Sequence, residues 1–230
     1  MTVRNPTAAA RTRARDAVTS ADRRARNRQR TRADILNAAR AVMRESGVAA
    51  LNLQEVARRV GMRAPSLYEY FPSKAALYDE LFLLGTRLYA RRIARLRWNP
   101  EIDAVWTSMA EIMRAYIGFA HQAPELFNLV FERHVPGFAP SQTSMDEAQT
   151  LLGGGYDKFR RAVERGSLVS DSSPEAMFDL FLSMMHGLAA QHLANEPQRQ
   201  VGSGRFGSLI PQAIAVLRAA WSPTTRARSQ

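Results

Sequence analysis

The stretch 51–74, LNLQEVARRVGMRAPSLYEYFPSK, constrains the fold more than any other part of this chain. It reads as two short helices around a tight turn. Asn52 is an N-cap residue whose side chain accepts from a free backbone N–H of the first turn. Glu55, three residues on, completes a variant of the capping box. Leu53, Val56, Ala57 and Val60 then share one face at helical spacing. Gly61 supplies the left-handed conformation that ends the helix. A second helix starts at about Ala64, with Pro65 in its first turn, where no backbone donor is lost. It runs to Tyr70 or Phe71 and stops before Pro72. Ala57 is small enough for a close crossing, and Met62 and Leu67 fill the space between the two helices. Arg63, Ala64, Ser66, Glu69 and Tyr70 remain outside. Ser73 caps a further helix.

Two short helices on a glycine turn describe a helix-turn-helix, whose second helix lies in a DNA major groove. Residues 60–74, VGMRAPSLYEYFPSK, resemble the signature of the tetracycline-repressor (TetR) family of bacterial transcription regulators. The shared features are the glycine turn, a short helix ending in Leu-Tyr-x-x-Phe, and a Ser-Lys pair opening the next helix. The resemblance spans roughly residues 28–98. It implies that Gln54, Arg63, Ala64, Pro65 and Ser66 face the bases, and that Tyr68, Tyr70 and Lys74 meet phosphates. Arginine at 63 suits a guanine O6/N7 pair, and glutamine at 54 an adenine N6/N7 pair. Glu69 is left out, because an acid beside phosphate is unfavourable.

Charge agrees with a nucleic-acid partner. The formal net charge is +11, and Lys74 and Lys158 are the only lysines. Residues 1–32 hold ten arginines against Asp16 and Asp22, a net of +8. A basic arm of this kind tracks phosphates or enters a minor groove. Its low apolar content predicts an arm over residues 1–27 that is disordered in isolation, with Ala-Arg segments able to become helical on DNA. The first helix is then expected from about Arg28 to Glu45, with Ile35, Leu36, Ala39, Val42 and Met43 inward. Arg28, Arg30, Thr31 and Arg32 stand at its expected start, where backbone N–H groups can meet phosphate.

The remainder of the chain reads as helices. A helix over 73–98 carries two apolar stripes, Leu77, Leu81, Leu84 and Leu88, and Tyr78, Phe82 and Tyr89. Gly85 in its middle marks close packing. Further helices are expected over 101–121, 124–132, 141–166, 174–195 and 205–221. Three consecutive glycines, 153–155, predict a kink or break in the helix over 141–166. Pro211 bends or delays the last. No stretch alternates with period two over enough residues for a sheet. The expected fold is all-α, about nine helices, divided into a basic arm (1–27), a three-helix DNA-binding domain (28–74), a larger helical domain (75–221) and a polar tail (222–230).

The resemblance implies that the larger domain binds a ligand and forms a two-fold dimer. Its apolar residues are the candidates for both roles. Trp106, Met109, Met113, Tyr116, Phe127, Phe131, Phe138, Phe159, Met177, Phe181 and Met185 are placed to line a cavity for a small apolar effector. His121, Asn128, His134 and His186 are the polar candidates. Leu188, His192, Ile210, Ile214, Leu217 and Trp221, on the last two long helices, are the candidates for a four-helix interface in a homodimer. Two recognition helices held about one or more helical turns apart then read a palindromic operator in double-stranded DNA.

The chain has no cysteine, which excludes disulfides and thiolate metal sites and suits a reducing compartment. It has no Gly-x-Ser-x-Gly, His-Glu-x-x-His or dinucleotide-binding glycine pattern, so no enzyme, cofactor or metal centre is expected. No apolar run reaches membrane-spanning length, and the basic N-terminus lacks the apolar segment of a secretory signal. A cytoplasmic regulator, most simply a repressor released by its effector, is the reading these observations favour. The alternatives are an architectural DNA binder that uses the arginine-rich arm without sequence choice, or a regulator that needs no ligand.

Overall fold

A computed structural model describes residues 6–132 and 135–223, with side chains from Ser20 onward. The first five residues of the arm, the arm's side chains up to residue 19, His134 and most of the polar tail lie outside the described residues. Among the described residues the fold is helical throughout, without a strand. Two compact units divide it, one ending at Lys74 and the other starting at Ala75.

The first unit opens with α1, Pro6–Ser46. The helix begins well before the expected start at Arg28, so residues 6–27 are helical rather than a disordered arm. The sequence explains the extension. Pro6 takes the first helical position, and no proline or glycine follows before Gly47. The segment is also rich in alanine and arginine, both strong helix formers. Arg28, Arg30, Thr31 and Arg32 therefore lie inside a helix, and their backbone N–H groups are not available to phosphate. The inward face is as expected: Ile35, Ala39, Val42 and Met43 are buried.

A 3-10 turn, Val48–Ala50, leads to α2 (Leu53–Arg59) and α3 (Ala64–Tyr68). α1 packs on α2 and α2 on α3. Val56 and Ala57 from α2 are buried with Leu67 and Phe71, so the three helices share one small core.

The second unit is built around α5 (Ala104–Gln122), which packs on α6 (Pro124–Phe131), α8 (Pro174–Asn195) and α10 (Ile210–Trp221). α4 spans Lys74–Ala94 and α7 spans Gln142–Glu164. Asp79 accepts from Ser141 N and Oγ at 2.8 Å, and Arg87 pairs with Glu147. Farther along, the Trp98 ring stacks on Phe159 at 6.0 Å. These three contacts, taken in order, make α4 and the stretch of chain after it run alongside α7 in the same direction.

Gly85 is a close-packing glycine, since a Cβ there would stand 2.8 Å from Val130 Cγ2 and 3.3 Å from Leu126 Cβ. The three glycines at 153–155 do not break α7, which is continuous from Gln142 to Glu164. Packing against α8 overrides their weak helix propensity. Gly155 is needed there because a Cβ would fall on the Phe178 ring. The final helix is split: a single turn, α9 (Gly204–Gly207), precedes α10, and Pro211 sits in the first turn of α10.

Candidate nucleic-acid interface and ligand cavity

The recognition helix is positioned by local chemistry. Asn52 Oδ1 accepts from Gln54 N at 2.8 Å and starts α2. The capping box is not completed, because Glu55 turns instead to Arg58 and Arg59, each at 2.7 Å. Arg59 also holds Glu45 at 2.6 Å and so ties α2 to the end of α1. The hydrogen bonds from Arg58 and then Arg59 draw the Glu55 pKa down to about 2. Gly61 has φ of 69°, and Met62 N returns to Ala57 O at 3.0 Å to close the turn. Arg63 then enters α3 in an extended conformation, with Pro65 in the first turn.

Two α1 arginines fasten the far end of α3. Arg28 donates to Glu69 O at 3.0 Å, and Arg32 to Tyr70 O at 2.8 Å. Arg32 also lies over the Phe71 ring, 4.5 Å from its centre. With that end held, Gln54, Arg63 and Pro65 are exposed, while Ala64, Ser66 and Tyr70 are half-buried. Tyr68 is 49% exposed and so is not a core aromatic. Lys74 is exposed at the start of α4, with Nζ 3.3 Å from Ala49 O. The residues expected at DNA thus occupy one small unit, with its positive side chains on the surface and only Ala64, Ser66 and Tyr70 partly covered.

The second unit contains an apolar cavity of about 840 Å³, lined from α4 to α8. Of the expected ligand residues, Tyr116, Phe131, Phe138, Phe159, Phe181 and Met185 line it. Trp106, Met109, Met113, Phe127 and Met177 are buried and do not line it; they are packed core. Tyr89 and Tyr116 meet edge to face at 5.4 Å, and Tyr116 meets Phe131 at 5.2 Å, forming one aromatic wall. Burial raises the pKa of both tyrosines, so they stay protonated.

The polar candidates separate. His186 Nδ1 lies 2.9 Å from Tyr116 Oη, and its Nε2 lies 3.0 Å from Glu132 Oε1. His186 thus bridges the Tyr116 hydroxyl and the Glu132 carboxylate. His121 stands against His192, ring centres 5.8 Å apart, and neither lines the cavity. Asn128 does not line it either. Sequence reading missed Thr86, Trp98 and Lys158, all of which line the cavity. A signal was available in Gly154-Gly155-x-x-Lys158-Phe159, which puts a cation on a helix face otherwise cleared of side chains.

The expected interface residues are also divided. Ile210, Leu217 and Trp221 are buried within the subunit, because α10 uses its apolar face on α5, and His192 on α8 is buried against His121 and the Arg199 carbonyl. Leu188 and Ile214 are half-buried. The outward apolar positions are Leu180, 52% exposed, on α8 and Val216, 61% exposed, on α10.

The comparisons with known proteins follow the same division. Residues 35–81 match the family model "Bacterial regulatory proteins, tetR family". Residues 109–204 match "Tetracyclin repressor-like, C-terminal domain". The chain belongs to the TetR family. It is a transcription regulator with a helix-turn-helix DNA-binding domain. The HTH-type transcriptional regulator UidR of Escherichia coli K12 is 25% identical over 175 residues, 75% of this chain and 86% of UidR. The TetR-family regulator PfmR from Thermus thermophilus shares the fold at a TM-score of 0.60 and 16% identity, over 81% of this chain and 97% of PfmR. AibR, solved with isovaleryl coenzyme A and operator DNA, shares it at 0.59 and 17%, over 84% of this chain and 99% of AibR. No helix among the described residues is long and apolar enough to cross a membrane.

Proposed function

We propose that this TetR-family regulator is a repressor that binds a palindromic operator as a homodimer and is released when a small, largely apolar molecule fills the C-terminal cavity. The observation that carries the effector half is the cavity of about 840 Å³, lined mainly by apolar side chains, in a unit that has no part in reading bases. AibR, whose fold this chain shares, was solved with isovaleryl coenzyme A and operator DNA, which supports a regulator that takes both a ligand and DNA.

At the DNA, Arg63 and Gln54 read base edges with Ala64, Pro65 and Ser66 beside them, while Tyr68, Tyr70 and Lys74 hold phosphates. The dimer is closed by the outward faces of α8 and α10, through Leu180, Met184 and Leu188 at i, i+4 and i+8 and through Val216 and Ile214. This replaces the four inward residues with outward ones on the same two helices. Ligand binding and DNA binding are then coupled reciprocally, each weakening the other by the same factor. The regulator acts in the cytoplasm, where its operator lies.

Selection of bound sequences from random DNA, together with sedimentation equilibrium of the purified chain, tests the reading. A palindromic motif bound by two chains is the expected result. Binding without a motif that collapses at moderate salt would point instead to non-specific binding through the arginine-rich N-terminal region.

A further inference from the structure

The cavity is not uniformly apolar: hydroxyl-bearing residues, Trp98 and one cation are among its lining. Lys158 is the charged residue among the described lining residues, and no acid lines the cavity with it. Its ammonium donates to Gly154 O at 3.2 Å and pairs with no carboxylate among the described residues. An ammonium has three protons to place, so this leaves it short of acceptors. Loss of hydration, with the nearby Arg161 charge adding to it, holds the Lys158 pKa below the ordinary lysine value. Trp98 also lines the cavity, but its indole Nε1 is itself buried and has no hydrogen-bond partner. Thr86 Oγ1 is a second such atom, on a residue 1% exposed.

The arrangement of the helices puts two of these donors at one end. Asp79 meets Ser141, Arg87 meets Glu147, and Trp98 stacks on Phe159, the neighbour of Lys158. Trp98 and Lys158 therefore share the end of the cavity farthest from Asp79. Thr86, beside Arg87, lies midway. An ammonium can only donate, so the group that satisfies Lys158 is an acceptor, and its charge makes an anion the best one. The rest of the lining is hydrocarbon and aromatic. A single cation matches a single negative charge; a nucleotide thioester would bring several phosphates against it.

We propose that the effector is an amphipathic carboxylic acid, its carboxylate held by Lys158 Nζ and its apolar body filling the cavity toward Thr86 and the Tyr89–Tyr116 wall. The assignment rests on the cavity being the effector site and adds the chemical class of its ligand.

Calorimetric titration of the full chain tests it with matched pairs: hexanoate, decanoate, tetradecanoate and phenylbutyrate, each against the corresponding alcohol. At least one acid should bind about tenfold or more tighter than its alcohol, the scale of one charge-assisted hydrogen bond. Lys158→Met should bring that acid down to the affinity of the alcohol and leave the alcohol unchanged. Lys158→Arg should keep the preference. Equal binding of acids and alcohols, or a preference that survives Lys158→Met, would overturn the carboxylate assignment while leaving the cavity as an effector site. Binding of none of the eight compounds would overturn the cavity reading itself, and the assignment with it.

Discussion

Arg63 and Lys158 are both cations at sites meant for something the free protein lacks, and they are kept in opposite ways. Arg63 stands exposed at the entry to α3, and among the described residues its guanidinium has no partner. In its proposed role, it stays solvated until DNA replaces the water. Lys158 has lost much of its water to Phe159, Phe178 and the glycine-cleared face of α7, and keeps one carbonyl in exchange. A solvated cation costs little to hold ready and gives affinity that salt readily screens. A partly dehydrated cation is costly to hold ready and favours whatever anion enters. The helix-turn-helix head and the cavity thus differ in construction: one is small, charged and surface-built, the other large, aromatic and partly open.

The strongest way to break this division is to damage one side and look for an effect on the other. Phe159→Ala removes a buried ring that touches Trp98, Phe178, Phe181 and Trp221. It should cost about 3–5 kcal/mol in guanidinium unfolding of the C-terminal unit. The motif selected from random DNA by the molecules that remain folded should not change. Gly85→Ala comes next. Its Cβ would collide with Val130, 2.8 Å away, so a change that improves helix propensity should instead destabilise by about 1–3 kcal/mol. A gain in stability would show that α4 is free to move off α6.

Smaller effects sharpen the head. Lys74→Ala should weaken every DNA sequence by a similar factor and lower the slope of log affinity against log salt by about 1, with little change in melting temperature. Loss of base preference at one position would move Lys74 from phosphate to base. The smallest effect concerns Glu55, whose folded pKa of about 2 lies below the ordinary value of 4.5. A depressed carboxylate pKa contributes stability above the unfolded value and loses it as pH falls through the folded one. The Glu45–Arg59–Glu55–Arg58 network should therefore hold at pH near 4 and open toward pH 2. The Glu55 carboxyl carbon shift, followed by NMR, checks this. A midpoint near the ordinary value would mean that the pairs do not persist in solution.

The head is legible in the sequence because each of its turns needs a special residue. Asn52, Gly61 and Pro65 do what their chemistry allows at few other places. α8 is bounded equally well, between Ser173 as a cap that accepts from Ala176 N and the polar loop after Asn195. Where the signal is only propensity, tertiary packing decides. Gly153 to Gly155 stay helical within α7, where α8 presses Phe178 into the space that Gly155 leaves. Residues 6–27 are helical although their charge argues for disorder. Within the C-terminal unit, helical spacing identifies buried residues but not what they face. Met109 and Met185 look alike in the sequence, yet the first is sealed core and the second lines the cavity. His192 on α8 and Trp221 on α10 read as outward because the last two long helices look too apolar for one core, whereas both residues are buried within the subunit. Lys158 escapes notice because a lone lysine on a helix ordinarily faces water.

The most direct test of base reading is the affinity of Arg63→Ala for the selected operator and for random DNA, measured at one fixed salt concentration beside the unaltered protein. Recognition by the start of α3 predicts a loss of about 1–3 kcal/mol on the operator, confined to one base position, with a smaller loss on random DNA. An equal loss on both, or none on either, would contradict it and take recognition away from α3.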